Sequence, residues 1–212
     1  MPDDFFVLAH HYRTGVPHLH PLPLGLGVAA GLMADLVMND RVVVSAAEVR
    51  VVNATPVADP LAGEVLLRMC AEPGLPLRDW LAFLARTTVE PVAQRLIQSG
   101  LYTQEEQSRG RWRRPVVLHL ATEPQRAYWR SVRLARMVAG IDEWSVPDVL
   151  LAGFVTATSL LNVVVETGAA GTGLQSALGR VQQGVNELPL PLRYLVDGVQ
   201  TLVGDAVLSG RT

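Results

Sequence analysis

Seventeen consecutive residues, 149–165, carry no charge between Asp148 and Glu166. Such a run suits either a membrane-crossing helix or a helix buried at the centre of a core. It is shorter than the ~20 residues of a typical span, and Thr156, Thr158, Ser159 and Asn162 interrupt it. The reading is a buried central helix over 146–165, around which the rest of the chain must build a shell. The composition supplies one: 49 % of the 212 residues are apolar and 18 % are charged, where a quarter charged is usual. No linker or change of composition divides 1–212, so the chain reads as a single domain.

The shell reads as mainly helical. Phe5-Phe6-Val7-Leu8 is a strand or a first turn on the core, and Pro17, Pro21 and Pro23 punctuate a loop. Dense apolar positions predict a helix over 24–38. Arg41-Val42-Val43-Val44 and Val49-Arg50-Val51-Val52 predict a β-hairpin. Asp59-Pro60 has the cap-then-proline order of a helix start, running to about Cys70. Further helices are predicted over 77–85 and from Thr88 to a stop at Gly100. Residues 101–119 form a second hairpin with a polar tip, long enough to protrude. Helices over 122–139, 174–188 and 192–208 complete a globular α-helical domain with small β-hairpins.

All 18 basic residues other than histidine are arginines. Without lysine there is no Walker A loop, Schiff base, pyridoxal site or protein-kinase site. Cys70 is alone, which excludes an intrachain disulfide and a cysteine-based zinc cluster and fits a reducing compartment. The start is acidic at Asp3 and Asp4, unlike an export signal, so a cytoplasmic location is expected. Charge is unevenly spread: between Arg109 and Arg136 eight arginines face one acid, Glu123, while the remaining chain is strongly acidic. Such a segment suits an anionic partner surface.

Three motifs invite chemistry and are better explained structurally. Gly25-Leu26-Gly27-Val28-Ala29-Ala30 fits G-x-G-x-x-A, but no βαβ unit surrounds it, so the small residues read as close helix packing. Gly168-Ala169-Ala170-Gly171-Thr172-Gly173 lacks the Lys-Ser/Thr ending of a phosphate loop and reads as a flexible connection. His10, His11, His18 and His20 have no nearby carboxylate to complete a ligand set, Asp3 and Asp4 being placed in a frayed terminus. They read as polar surface histidines, and neither a metal nor a cofactor is expected. No nucleophile elbow or H-E-x-x-H pair is present, so no enzymatic activity is expected.

Arg111-Trp112-Arg113-Arg114 at the hairpin tip sets cations beside an indole, a combination that suits lipid headgroups, a subunit contact or stacking on nucleic acid. Arg126, Arg130 and Arg133 fall at i, i+4 and i+7 and form one helical stripe. Like charges so close repel, which predicts an external or intersubunit counter-charge.

Several segments, read in order, resemble the Golgi phosphoprotein 3 family, including its bacterial, actinobacterial-type members. They are Gly31-Leu32-Met33-Ala34-Asp35-Leu36-Val37-Met38-Asn39-Asp40-Arg41-Val42, Thr55-Pro56-Val57-Ala58-Asp59-Pro60-Leu61, Trp80-Leu81-Ala82-Phe83-Leu84, Leu96-Ile97-Gln98-Ser99-Gly100-Leu101 and Asp148-Val149-Leu150-Leu151-Ala152-Gly153. The resemblance implies an α-helical domain with a protruding hairpin used in self-association. For eukaryotic members it implies peripheral membrane binding through phosphatidylinositol 4-phosphate. The family's headgroup site takes a tryptophan and an arginine flanking the first helix, and two arginines on the helix before the hairpin. Here those positions fall near His20, near Ala29 and at about Val89 to Pro91, with Arg95 the nearest cation.

The expected function is therefore a non-enzymatic peripheral membrane protein that binds anionic headgroups through His20, Arg95, Arg113 and Arg114. Arg111, Trp112, Arg126 and Arg130 would contact membrane or a second copy. The alternatives are a homo-oligomerising interaction module and a winged-helix-like nucleic-acid binder, the latter disfavoured by overall acidity.

Overall fold

The computed structural model describes residues 1–107, 116–167 and 173–209. Among these the chain forms ten α-helices and two antiparallel two-stranded sheets, the mainly helical fold expected. The hairpin tip bearing Arg111, Trp112, Arg113 and Arg114 lies outside the described residues. So does the glycine-rich connection up to Gly173.

The first element corrects the sequence reading. Phe5 to Leu8 are a helical turn on the core and not a strand, Asp3 and Asp4 belong to the same helix α1 (Pro2–Leu8) and not to a frayed end, and Phe5 and Phe6 are fully buried. Asp3 and Asp4 are held on its outer side by Arg95 and Arg130. A loop then returns through Gly15 (φ +64°), where a Cβ would overlap the backbone of His119. Helix α2 (Pro21–Met38) starts three residues before the predicted point. Pro21 and Pro23 sit in its first turn, where a missing N–H costs no hydrogen bond.

α2 is the hub. It packs against α1, against the first hairpin (β1, Val42–Val44, with β2, Val49–Val51), and against α3 (Pro60–Ala71), α4 (Leu77–Thr87) and α5 (Val89–Gln98). Its length and mean hydropathy of 1.6 would suit a membrane span, yet 67 % of it is buried inside the fold. The glycines of G-x-G are what let neighbours come close. A Cβ on Gly25 would overlap the Ala85 carbonyl of α4, and one on Gly27 would overlap the Phe5 ring. α3 starts as its cap predicts, Asp59 accepting hydrogen bonds from the backbone N–H of Leu61 (2.9 Å) and Ala62 (3.3 Å).

The second hairpin pairs β3 (Tyr102–Gln107) with β4 (Val116–Ala121), Tyr102 opposite Ala121 and Gln107 opposite Val116. Tyr102, Leu118 and His119 are buried at its base, whereas 103–107 are exposed, so the ribbon projects. α6 (Pro124–Val138) follows.

The uncharged run 149–165 is two helices, not one: α7 (Val146–Ala157) and α8 (Leu161–Thr167). Ser159 takes a left-handed conformation (φ 64°), while the Thr156 and Thr158 hydroxyls donate to the Ala152 and Phe154 carbonyls (both 2.8 Å). Side-chain oxygens bonded to helix carbonyls favour a break there. α9 (Leu174–Glu187) and α10 (Leu190–Ser209) close the fold, α10 lying across α2, α4 and α7.

Candidate functional site

α6 is amphipathic. Ala127, Leu134, Ala135, Met137 and Val138 face the core, and the arginines face outward. Each arginine of the stripe has an intrachain counter-charge, where an external one was expected. Arg126 meets Glu123 (3.4 Å), Arg130 meets Asp4, and Arg133 meets Asp148 (3.1 Å). Arg136 grips Asp142 with two hydrogen bonds (2.8 and 2.7 Å), which hold that carboxyl below its ordinary range. The pairs differ in commitment. Asp148 also accepts from the backbone and hydroxyl of Ser145 in a capping box, whereas Arg126 and Glu123 are both largely exposed.

Trp129, which the sequence reading left out, occupies the same face and is 63 % exposed. Its signal was present, since it stands at i+3 from Arg126 and i−4 from Arg133. A shallow depression joins Trp129 and Arg126 to Arg13 of the loop after α1. Beside it a deeper cavity of about 270 Å³ opens between α6, α1 and the base of the hairpin. Tyr102 forms part of its wall. That side chain is 4 % exposed and its hydroxyl has no partner. Burial pushes its phenol up to about 12, against the opposing pull of the Arg130 charge.

The histidines divide. His20 is exposed at the N-terminus of α2 and His18 is exposed on the loop, as read. His10 is buried instead, stacked on Phe6 (4.1 Å between rings), with Nδ1 2.7 Å from the Phe6 carbonyl. Burial lowers its pKa to about 4, so it is neutral. His119 lies edge-on to it (5.5 Å) and is lowered for the same reason. Among the described residues no three His, Cys, Asp or Glu side chains form a metal-sized group.

Arg95 is not free at a pocket mouth. It bridges Asp3 of α1 and Asp59 at the cap of α3 (2.5 Å), tying three segments together. The structure thus brings Arg126 and Arg130 together around one cavity, commits Arg95 to two carboxylates, and leaves His20 at a helix end.

The architecture defines a class: helices wrapped on a central apolar helix, with a two-stranded ribbon thrown out between the fifth and sixth. The chain belongs to the Golgi phosphoprotein 3 (GPP34) family, whose sequence model matches residues 1–189. No curated protein matches it. The family is not known as an enzyme family.

Proposed function

We propose that this protein is a non-enzymatic peripheral membrane protein. It docks on anionic bilayers through the outer face of α6 and the adjoining hairpin, from the cytoplasmic side. The observation that carries the reading is Trp129, 63 % exposed with Arg126 and Arg133 on its own face. An amphipathic ring flanked by guanidinium groups suits the headgroup layer. Each arginine near an anionic surface contributes about 1 kcal/mol, and exposed ion pairs are worth about that or less. Glu123, in the exposed pair, can therefore be exchanged for a lipid phosphate, while Asp148 keeps its capping bonds to Ser145. Headgroup selectivity should be low, because Ala29 and Val89–Pro91 offer no cations and Arg95 already has two carboxylates.

Sedimentation with phosphatidylserine-containing and with neutral vesicles, at low and high salt, tests this. Binding should require the anionic lipid, fade with salt, fall sharply in Trp129→Ser with Arg126→Gln, and gain little from phosphatidylinositol 4-phosphate. Equal binding to both vesicles, or none, refutes it. A second reading, self-association, draws support from β3, whose outer edge is unpaired and exposed along Thr103 to Gln107. Light scattering showing a monomer at micromolar concentration would remove it.

A further inference from the structure

We propose that the docking surface continues from α6 onto the loop between α1 and α2, an extension that rests on the docking reading itself. That loop forms a second foot on the anionic bilayer, with Arg13 as its phosphate contact and Val16 as its apolar one. A row of five rings joins the two elements across the surface. Trp129 meets Tyr128 (6.5 Å between centroids), Tyr128 meets Tyr12 (5.2 Å), Tyr12 meets His11 (5.0 Å), and His11 meets His18 (5.9 Å). Arg13 lines one depression together with Arg126 and Trp129. Val16, on the same loop, is 38 % exposed.

Two observations single out this loop. Arg126, Arg130 and Arg133 each face an intrachain carboxylate, which neutralises part of their charge. Arg13 is exposed with its guanidinium over the Tyr12 ring (5.5 Å), and among the described residues no carboxylate lies at ion-pair distance from it. Its whole charge is therefore open to lipid. The second observation is that the loop is already shaped. The His11 N–H donates to the Val16 carbonyl (2.9 Å), the Gly15 N–H to the His11 carbonyl (2.8 Å), and the Thr14 N–H to His11 Nδ1 (3.2 Å). The His119 N–H donates to the Gly15 carbonyl (3.4 Å) and ties the turn to the base of the hairpin. A preformed turn loses little conformational freedom on docking. The rings favour a bilayer over single-stranded nucleic acid. Base stacking needs an open aromatic face, whereas Tyr12 is stacked by His11 (26° between planes) and overlain by Arg13. Half-buried tyrosines beside an exposed tryptophan suit the headgroup layer.

The probes are phosphatidylserine-containing vesicles, neutral vesicles and a single-stranded oligothymidylate. Arg13→Gln should weaken binding to the anionic vesicles about fivefold and Arg13→Glu about thirtyfold, and Arg13→Gln should cost more than Arg126→Gln. Melting temperatures should stay unchanged, because Arg13 is exposed. Cys70 is the only cysteine, so Val16→Cys on a Cys70→Ser background takes a single nitrobenzoxadiazole label. That label should brighten with anionic vesicles and not with neutral ones. Wild-type binding with a silent label and an unaffected Arg13→Glu overturns the second foot and leaves docking through α6 standing. No wild-type binding removes both. Binding lost in Arg13→Glu yet intact in Trp129→Ser with Arg126→Gln would put docking on the loop alone and overturn the joint surface. Oligothymidylate bound in preference to vesicles, and lost in Arg13→Glu, would overturn the proposal in favour of nucleic acid.

Discussion

Alanine at Gly25 should be far more damaging than alanine at most helical glycines. The added Cβ would lie 2.8 Å from the Ala85 carbonyl carbon and 3.0 Å from its Cα, and closer still to the oxygen. Carbon atoms pack at about 3.5–4.0 Å, so α2 and α4 must part by roughly 1 Å along their contact. A side chain could rotate away; a helix carbonyl cannot. Overpacking typically costs about 1–3 kcal/mol, and this site belongs at the top of that range. For a chain of this size each kcal/mol moves the melting temperature by about 2–4 °C, so Gly25→Ala should melt roughly 6–12 °C lower. Gly204, on α10, has nothing within 4 Å of its would-be Cβ. There the helix propensity of alanine should win, raising stability by up to about 1 kcal/mol. Paired thermal melts with urea titrations read both signs. If Gly25→Ala melts within about 1 °C of wild type, or the two glycines respond alike, the packing account of G-x-G is wrong.

His10 is neutral in the fold with a pKa of about 4, against an ordinary 6.5. Its contribution is complete above about pH 6.5 and is lost as pH falls towards 4, about 3 kcal/mol in all. Urea titrations across that window should show a slope that His10→Phe flattens; an unchanged slope would refute the assignment. Arg95→Leu leaves Asp3 and Asp59 facing each other half-exposed, and should lower stability by about 1–2 kcal/mol, between the values for surface and buried pairs. Chemical denaturation showing less than about 0.5 kcal/mol would mean the bridge is idle. Ser159→Gly should relieve the left-handed backbone between α7 and α8 and raise stability by up to about 1 kcal/mol. A lower melting temperature would count against that account of the break.

Local signals made much of the fold legible. Asp59-Pro60 and Glu123-Pro124 open helices where the sequence places them, and the two valine-rich runs pair as a hairpin. Periodicity failed where there was too little of it or too much apolar residue. Four apolar residues at Phe5–Leu8 cannot distinguish strand from helix. The uncharged run 149–165 hides a break that Thr156, Thr158 and Ser159 mark, polar residues that read equally well as interruptions within one helix. The candidate site was less legible because its electrostatics are long-range. Asp3 meets Arg95 across 92 positions and Asp4 meets Arg130 across 126, and no local pattern encodes such a pairing. The stripe of arginines was readable, but its partners were not.

The family match ends at residue 189, and α10 begins at Leu190. Yet α10 covers α2, the one helix among the described residues long and apolar enough to cross a membrane. On the ribosome α2 emerges early and waits for a cover about 150 residues behind it. At about 5–20 residues per second that is an interval on the order of ten to thirty seconds. Throughout it, a helix with the length and hydropathy of a membrane span lacks the last of its protein neighbours. The nascent chain therefore offers chaperones and translocation machinery a target that the finished protein hides.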